Sequence, residues 1–186
     1  NDELIDVKFS KKDENIIIAT YKGKAIHFKE DDVRSTARSS YGVKSIDLSE
    51  DDYVIGLGID SEGKDLLTIT ENGYGKKTPL EDYRLQSRGG KGLITLNIKE
   101  KNGSLVAIKV VNDDNELLVI SEEGIMIRPS VEEISRTARN TQGVKVMINS
   151  LISSGHSYSD VKDIAILSNQ YGVRVSFSHI VSTCST

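Results

Sequence analysis

Short apolar runs recur along the chain, and each of four such runs is followed by a short polar turn and a glycine. These glycines are Gly23, Gly73, Gly124 and Gly172, which lie 50, 51 and 48 residues apart. A second β-like run follows each glycine. A strand, a tight glycine turn and a second strand form a β-hairpin. The pattern therefore predicts four hairpins, with first strands at residues 16–19, 66–69, 117–120 and 164–167.

A second glycine recurs 19 residues after the first in three copies, at Gly42, Gly92 and Gly143. An arginine stands four residues before each of them, at Arg38, Arg88 and Arg139. β-like residues follow at 43–48, 93–98 and 144–148, and a further apolar run follows at 53–59 and 105–111. The unit is thus about 50 residues long with about four strands, which is the period and strand count of a propeller blade.

We therefore predict an all-β, propeller-like fold with three clear copies of a four-stranded blade and a partial fourth. One such sheet cannot bury its faces alone, so neighbouring copies have to stack. The chain is expected to form a single domain over residues 1–186, with repeats at about 1–48, 49–98 and 99–148. Residues 149–186 are predicted to form a weak or partial blade, and sequence foreign to the repeat is the alternative.

The composition of the 186 residues limits the chemistry. The net charge is −4, so contact with a nucleic acid would need a local basic patch. Neither a membrane-length apolar run nor a signal peptide is visible, and the single cysteine fits a reducing cytosol. His27, His156 and His179 lack metal-ligand spacing, and no catalytic constellation appears. We expect no catalytic residue, no metal and no cofactor.

The most informative stretch is residues 86–92, which has three glycines in four residues together with Arg88 and Lys91. Glycines let the main chain turn sharply and approach another surface, and main-chain N–H groups with cations suit a phosphate backbone. Residues 73–92 carry a net charge of +3, whereas the connector 49–65 carries −5. Equivalent segments should share one edge of a repeat array, so we predict a basic rim with acidic residues elsewhere. Ordinary solvated β-turns are the alternative.

Several of these motifs resemble the family of C-terminal domains found in the A subunit of bacterial DNA gyrase. The resemblance is carried by Glu-Asn-Gly-Tyr-Gly-Lys-Lys-Thr-Pro-Leu at 71–80, by Tyr83-Arg84, and by residues 86–92. The last segment is similar to the GyrA box, Q-[RK]-R-G-G-[RK]-G, except that Ser87 stands where the family has a cation. The Ser-Thr-Ala-Arg segment at 35–38 and the Arg-Thr-Ala-Arg segment at 136–139 are also typical of the family.

The resemblance implies a β-pinwheel, in which neighbouring blades exchange strands, and a domain that wraps DNA to support negative supercoiling. It implies double-stranded DNA as a partner, along with the rest of gyrase A and with gyrase B in an A2B2 topoisomerase. It also implies a cytoplasmic, nucleoid-associated location without membrane contact. Mg²⁺ and ATP would serve other parts of that enzyme, and this domain would be non-catalytic.

Residues 86–92 are expected to anchor the duplex, mainly through phosphate contacts. The predicted DNA-binding residues are Gln86, Arg88, Gly89, Gly90, Lys91, Gly92, Lys76, Lys77, Arg84, Arg34, Arg38, Lys44, Arg128, Arg136, Arg139 and Lys145. Two alternatives remain at this point. One is the C-terminal domain of a topoisomerase IV subunit, which shares the fold but has a degraded box. The other is a propeller that binds protein partners.

Overall fold

A computed structural model describes residues 3–121, 126–146 and 161–167. The described regular elements are β-strands and three short 3-10 helices, which confirms the all-β prediction. The 3-10 helices are Glu30–Asp32, Asp60–Glu62 and Leu80–Asp82. The strands are β1 (Asn15–Thr20), β2 (Lys24–Lys29), β3 (Val54–Ile59), β4 (Asp65–Thr70), β5 (Tyr74–Pro79), β6 (Leu93–Ile94), β7 (Leu105–Val111), β8 (Glu116–Ser121), β9 (Met126–Ile127), β10 (Val144–Lys145) and β11 (Val161–Leu167).

Three of the predicted hairpins form, each within an antiparallel sheet. β1 pairs with β2, β4 pairs with β5, and β8 pairs with β9. In the first two hairpins the turn glycine has a positive φ, 76° at Gly23 and 72° at Gly73. Glycine adopts this conformation without the steric cost that other residues meet. The regular spacing of these glycines therefore marks the hairpin turns, as the sequence indicated; Gly124 and Gly172 lie outside the described residues.

Each of the first two sheets takes strands from two successive repeats. The first sheet has the order β3-β1-β2-β6, and the second has the order β10-β5-β4-β7. β6 belongs to the second repeat in sequence, yet it pairs with β2 of the first through Lys24↔Ile94 and Ala25↔Leu93. β10 pairs with β5 in the same way. The 50-residue repeat is therefore not a self-contained sheet, because its last short strand completes the sheet before it.

The strand predicted at residues 164–167 is present, whereas the one predicted at residues 43–48 is not. Residues 164–167 lie in β11, which pairs with β8 at the edge of the third sheet. β3 and β7 occupy the same edge position in the first and second sheets. The predicted hairpin partner of residues 164–167, residues 173–177, lies outside the described residues.

Residues 43–48 were expected to be a strand, but they form none. A strand needs a neighbour to pair with, and no described strand pairs with these residues. Residues 149–160 and 168–186, where a partial blade was predicted, lie outside the described residues.

The core lies between the faces of successive sheets. Ile17 and Ala25 of the first sheet pack in one cluster with Leu66 and Val110 of the second. Leu67 and Val111 of the second sheet pack with Leu117, Val119, Val131 and Ile134 of the third repeat. The edges of the first two sheets approach closely, since a Cβ at Gly58 would lie 2.6 Å from Val110 Cγ2. Face-to-face burial of this kind fixes the order of the repeats and thereby the positions of their connecting turns.

Candidate nucleic-acid interface

We call the turns that end at the second glycine of each repeat the first corner (36–42), the second corner (86–92) and the third corner (137–143). The second corner lies on the segment that follows the first corner. The Gly89 N–H donates to Ser45 O at 2.8 Å, and the Asp47 N–H donates to Gly90 O at 2.8 Å. These two bonds fix the corner backbone against the preceding repeat and leave Ser87 and Lys91 exposed.

Two glycines of the second corner are required by its backbone. Gly89 has φ 80° and Gly92 has φ 70°, both in the left-handed region that favours glycine. Gly92 also lies against β2, because a Cβ there would be 2.8 Å from Ala25 O. The glycines therefore let the corner turn and let β6 join the first sheet.

Arg88 uses part of its guanidinium to hold neighbouring repeats together. Its Nη1 donates to Lys44 O at 2.7 Å, and its Nε donates to Asp32 O at 3.1 Å. The side chain is bonded to main-chain carbonyls and makes no ion pair with a described residue, so it keeps its charge uncompensated and has further N–H donors. Such an arginine is held in place and can still bind an anion.

The third corner repeats this arrangement one repeat further along. Arg139 Nη1 donates to Ile94 O at 3.4 Å, and the Asn97 N–H donates to Thr141 O at 3.0 Å. Ile94 and Asn97 stand 50 residues after Lys44 and Asp47. Arg139 also lies over the Tyr83 ring, with Cζ 5.9 Å from the ring centre. The second and third corners therefore each lie against the segment that follows the preceding corner, and we call the three corners together the corner row.

Four predicted cations remain fully available at the surface. Arg34, Arg38, Arg84 and Lys91 are exposed and make no ion pair within the described part of the chain. Lys44 is exposed too, but it pairs with Asp47, and this pairing lowers the pKa of the Asp47 carboxyl. Acidic residues were expected to lie away from the cations. Asp47 and Asp32 do not, because Asp47 pairs with Lys44 and the main-chain oxygen of Asp32 accepts a hydrogen bond from Arg88.

Three other predicted residues are engaged within the fold. Arg128 pairs with Glu116, and Arg136 pairs at 2.9 Å with Asp65, whose side chain is buried. Lys145 is half-buried, with Nζ 5.9 Å from the centre of the Tyr74 ring. Arg128 and Arg136 nevertheless keep side-chain exposures of 60% and 52%, so an incoming phosphate could reach them.

The assignment of Lys76 and Lys77 to a DNA path is contradicted by their burial, since they are 0% and 3% exposed. Lys76 Nζ donates to Ala138 O at 2.7 Å, to Arg139 O, and to Thr141 Oγ1 at 3.1 Å. Burial lowers the pKa of Lys76 to about 8, and the nearby charge of Arg139 acts in the same direction. Lys77 Nζ bonds to Asp113 Oδ1 at 2.5 Å, which lowers the pKa of that carboxyl.

Alignment of the repeats contained a signal for this burial. Lys76 and Lys77 stand 50 residues after Ile26 and His27, in a strand whose first copy contains Ala25, Ile26 and Phe28. Sequence reasoning also missed the backbone of residues 44–47, which supports the second corner. Gln86, whose side chain was expected to face a ligand, donates its main-chain N–H to His27 O at 2.8 Å. Its Nε2 is buried and has no partner among the described residues.

The described residues contain no group of His, Cys, Asp and Glu side chains arranged to hold a metal ion. The search for membrane spans found no helix in this part of the chain with the length and apolar character needed to cross a bilayer. What the described surface offers is a row of glycine-containing corners with positively charged side chains. An arrangement of this kind can bind an extended anion through side-chain charges and main-chain N–H groups.

Comparison with known families gives a match over most of the chain. The model of the DNA gyrase C-terminal domain, described as a beta-propeller, matches residues 14–59, 64–112 and 115–154. The A subunit of DNA gyrase from Staphylococcus epidermidis is 45% identical over 149 residues, covering 79% of this chain and 17% of that protein. The A subunit of DNA gyrase from Ureaplasma parvum is 41% identical over 165 residues, covering 89% of this chain and 19% of that protein. The chain thus spans less than one fifth of the length of these relatives.

Solved structures agree with this match. A structure of the DNA gyrase A C-terminal domain superposes with a TM-score of 0.75 at 28% identity, covering 83% of this chain and 51% of the other. The C-terminal domain of a DNA topoisomerase IV superposes with a TM-score of 0.73 at 20% identity, which supports the shared fold alone. The propeller-like prediction is confirmed, and the topoisomerase IV alternative is not favoured. The chain belongs to the DNA gyrase C-terminal domain family.

Proposed function

We propose that this chain binds double-stranded DNA and bends it along the corner row. The observation that carries the proposal is the repeated placement of Arg88 and Arg139. Each donates to a main-chain carbonyl of the preceding repeat, at equivalent positions in two successive units. Arginines held at equivalent places in successive repeats can contact phosphates at successive points along a duplex that follows the row.

The proposed contact set is narrower than the sequence predicted. It consists of the second corner, with Gln86, Arg88, Gly89, Gly90, Lys91 and Gly92, and of the cations Arg34, Arg38, Lys44, Arg84 and Arg139. Arg128, Arg136 and Lys145 are secondary, because their side chains already contact protein groups. Lys76 and Lys77 are excluded by their burial. Contacts would be mainly to phosphate, so binding would depend strongly on salt and weakly on base sequence.

In the parent enzyme we propose the role that the family match implies. The relatives are DNA gyrase A proteins, and the domain would supply a bent DNA segment that supports negative supercoiling. It would act as a non-catalytic module beside the rest of gyrase A and beside gyrase B in an A2B2 assembly. ATP, Mg²⁺ and DNA cleavage would belong to other parts of that assembly, which would operate on the chromosome in the cytoplasm.

The test is binding and bending of a duplex several helical turns long, measured across a range of salt concentrations. We expect the double variant Arg88→Ala/Lys91→Ala to lose bending and to retain its fold. Its log–log salt slope should be shallower by about 2, because each cation contributes roughly 0.9. The matched control is Lys12→Ala/Lys99→Ala, which removes the same charge from exposed sites outside the corners. Equal bending by wild type and the corner variant would refute the proposed anchor.

A salt-independent interaction, or no interaction with duplex at all, would instead favour the protein-binding propeller. That outcome separates the two classes of function without knowledge of the protein partner.

A further inference from the structure

The second and third corners differ in the residue that lies beneath them. Lys76 of β5 lies under the third corner and bonds to Ala138 O, Arg139 O and Thr141 Oγ1. The equivalent position under the second corner is Ile26, whose Cδ1 would lie 3.7 Å from a Cβ placed at Gly90. Thr141 stands 51 residues after Gly90. An isoleucine therefore faces glycine in one repeat, and a lysine faces threonine in the next.

This difference matters because the third corner lacks the triple glycine. Gly143 is its only glycine and has φ 73°, whereas residues 138–141 carry side chains. Two consecutive carbonyls and a hydroxyl of this segment converge on the Lys76 ammonium. Three donors on one small cation suit three converging oxygens. The lysine thus supplies by hydrogen bonding the backbone restraint that the apolar contact supplies in the second corner.

The arrangement is costly for folding, which suggests that it has another role. Lys76 is 0% exposed and has no carboxylate within ion-pair distance among the described residues. The charged groups that act on it are Arg139, which disfavours its charge, and the more weakly acting Asp82. Replacement of the lysine by an apolar residue of similar volume removes the cost of burying its charge, which offsets the cost of leaving its three oxygen partners without a donor. A methionine at this site would therefore be tolerated if stability were the only requirement.

We propose that Lys76 is a positioning residue for DNA binding, because its buried ammonium holds the 138–141 backbone so that the Arg139 guanidinium stays in the corner row. The role given to Arg139 in this proposal rests on the DNA-binding function argued above. The positioning itself concerns the free protein and can be measured without DNA.

The first test is amide hydrogen exchange in the free protein with Lys76→Met. The reporters are the Thr141 N–H, which donates to Arg139 O at 2.9 Å, and the Asn97 N–H, which donates to Thr141 O. We expect exchange at both to rise tenfold or more, while the global unfolding midpoint is unchanged or higher. Lys77→Met is the matched control, because the Lys77 side chain is also buried but bonds to Asp113 instead of the third corner, and the substitution leaves the main chain of Lys77 in place. Equal exchange in Lys76→Met and wild type would overturn the proposal.

If Lys76→Met does not fold, Thr141→Val provides a second variant. It removes one of the three oxygens around the ammonium and should raise exchange at Asn97 by a smaller factor. No change at Asn97 in Thr141→Val would count against the proposal in the same way.

The second test is a double-mutant cycle on DNA affinity with Lys76→Met and Arg139→Ala. If Lys76 acts through Arg139, Lys76→Met should weaken binding about as much as Arg139→Ala does, and by less than twofold when Arg139 is already alanine. Independent, multiplicative losses would overturn the positioning role. If neither Arg139→Ala nor the Arg88/Lys91 double variant changed binding, the proposed function would fail, and the exchange result would still decide the positioning.

Discussion

The repeat offers a sharp test of the fold at Gly92 and its counterpart Gly42. Gly92 has φ 70°, and a Cβ there would lie 2.8 Å from Ala25 O and 3.1 Å from Ala25 C. Gly42 is not among the positive-φ glycines, and a Cβ there would meet nothing within 4 Å. The two glycines occupy equivalent positions in successive repeats. A hairpin strand, β2, lies beside Gly92, whereas no described strand lies beside Gly42.

Gly92→Ala combines two costs. A left-handed conformation costs a non-glycine residue about 1–2 kcal/mol. Overlap of the added methyl group with main-chain atoms that cannot rotate away costs roughly 1–3 kcal/mol more. We therefore expect a loss of about 2–5 kcal/mol in the free energy of unfolding. Gly42→Ala should change it by no more than about 0.5 kcal/mol, in the stabilising direction, because alanine lowers the entropy of the unfolded chain.

Urea unfolding followed by circular dichroism would measure both values. With a denaturant dependence of about 2 kcal/mol per molar, Gly92→Ala should lower the midpoint by roughly 1–2.5 M. Gly42→Ala serves as the control for the chemical change itself. Equal midpoints for the two variants would show that the close packing of β6 on β2 contributes nothing to stability. The strand exchange between repeats would then not be what fixes the second corner.

Three further outcomes follow from buried groups. Leu66→Ala removes a fully buried side chain between the first two sheets and should cost about 2–5 kcal/mol by urea unfolding. Arg136→Ala leaves the buried Asp65 carboxylate without its partner and should cost about 1–3 kcal/mol; a loss below about 0.5 kcal/mol would mean that water replaces the arginine. Lys76 has a pKa of about 8 when folded and 10.5 in the reference state, so the unfolded chain holds more protons between these values. The contribution of Lys76 to the free energy of unfolding should therefore rise with pH from about 8 to 10.5, and this rise should vanish in Lys76→Met.

The sequence by itself determined the local elements of this protein. Runs such as Leu66–Ile69 followed by Gly73 specify a hairpin, because a short apolar run and a positive-φ turn are properties of neighbouring residues. The spacing of Arg38, Arg88 and Arg139 likewise predicted a repeated corner, and Arg88 and Arg139 make equivalent contacts. The hairpin depends on interactions over a few residues and the repeat is visible as a recurring spacing, so the order of amino acids is sufficient to reveal both.

Only the tertiary structure decided which repeat each short strand joins and which lysines face solvent. β6 and residues 43–48 have similar sequence patterns, yet β6 pairs with β2 and residues 43–48 form no strand. A strand needs a partner edge, and that edge comes from a residue some 70 positions away, such as Lys24 opposite Ile94. Lys76 is charged like Lys91, but the third corner covers Lys76, whereas Lys91 is exposed. Burial is set by the segment that packs on a side chain, and the local sequence does not contain that segment.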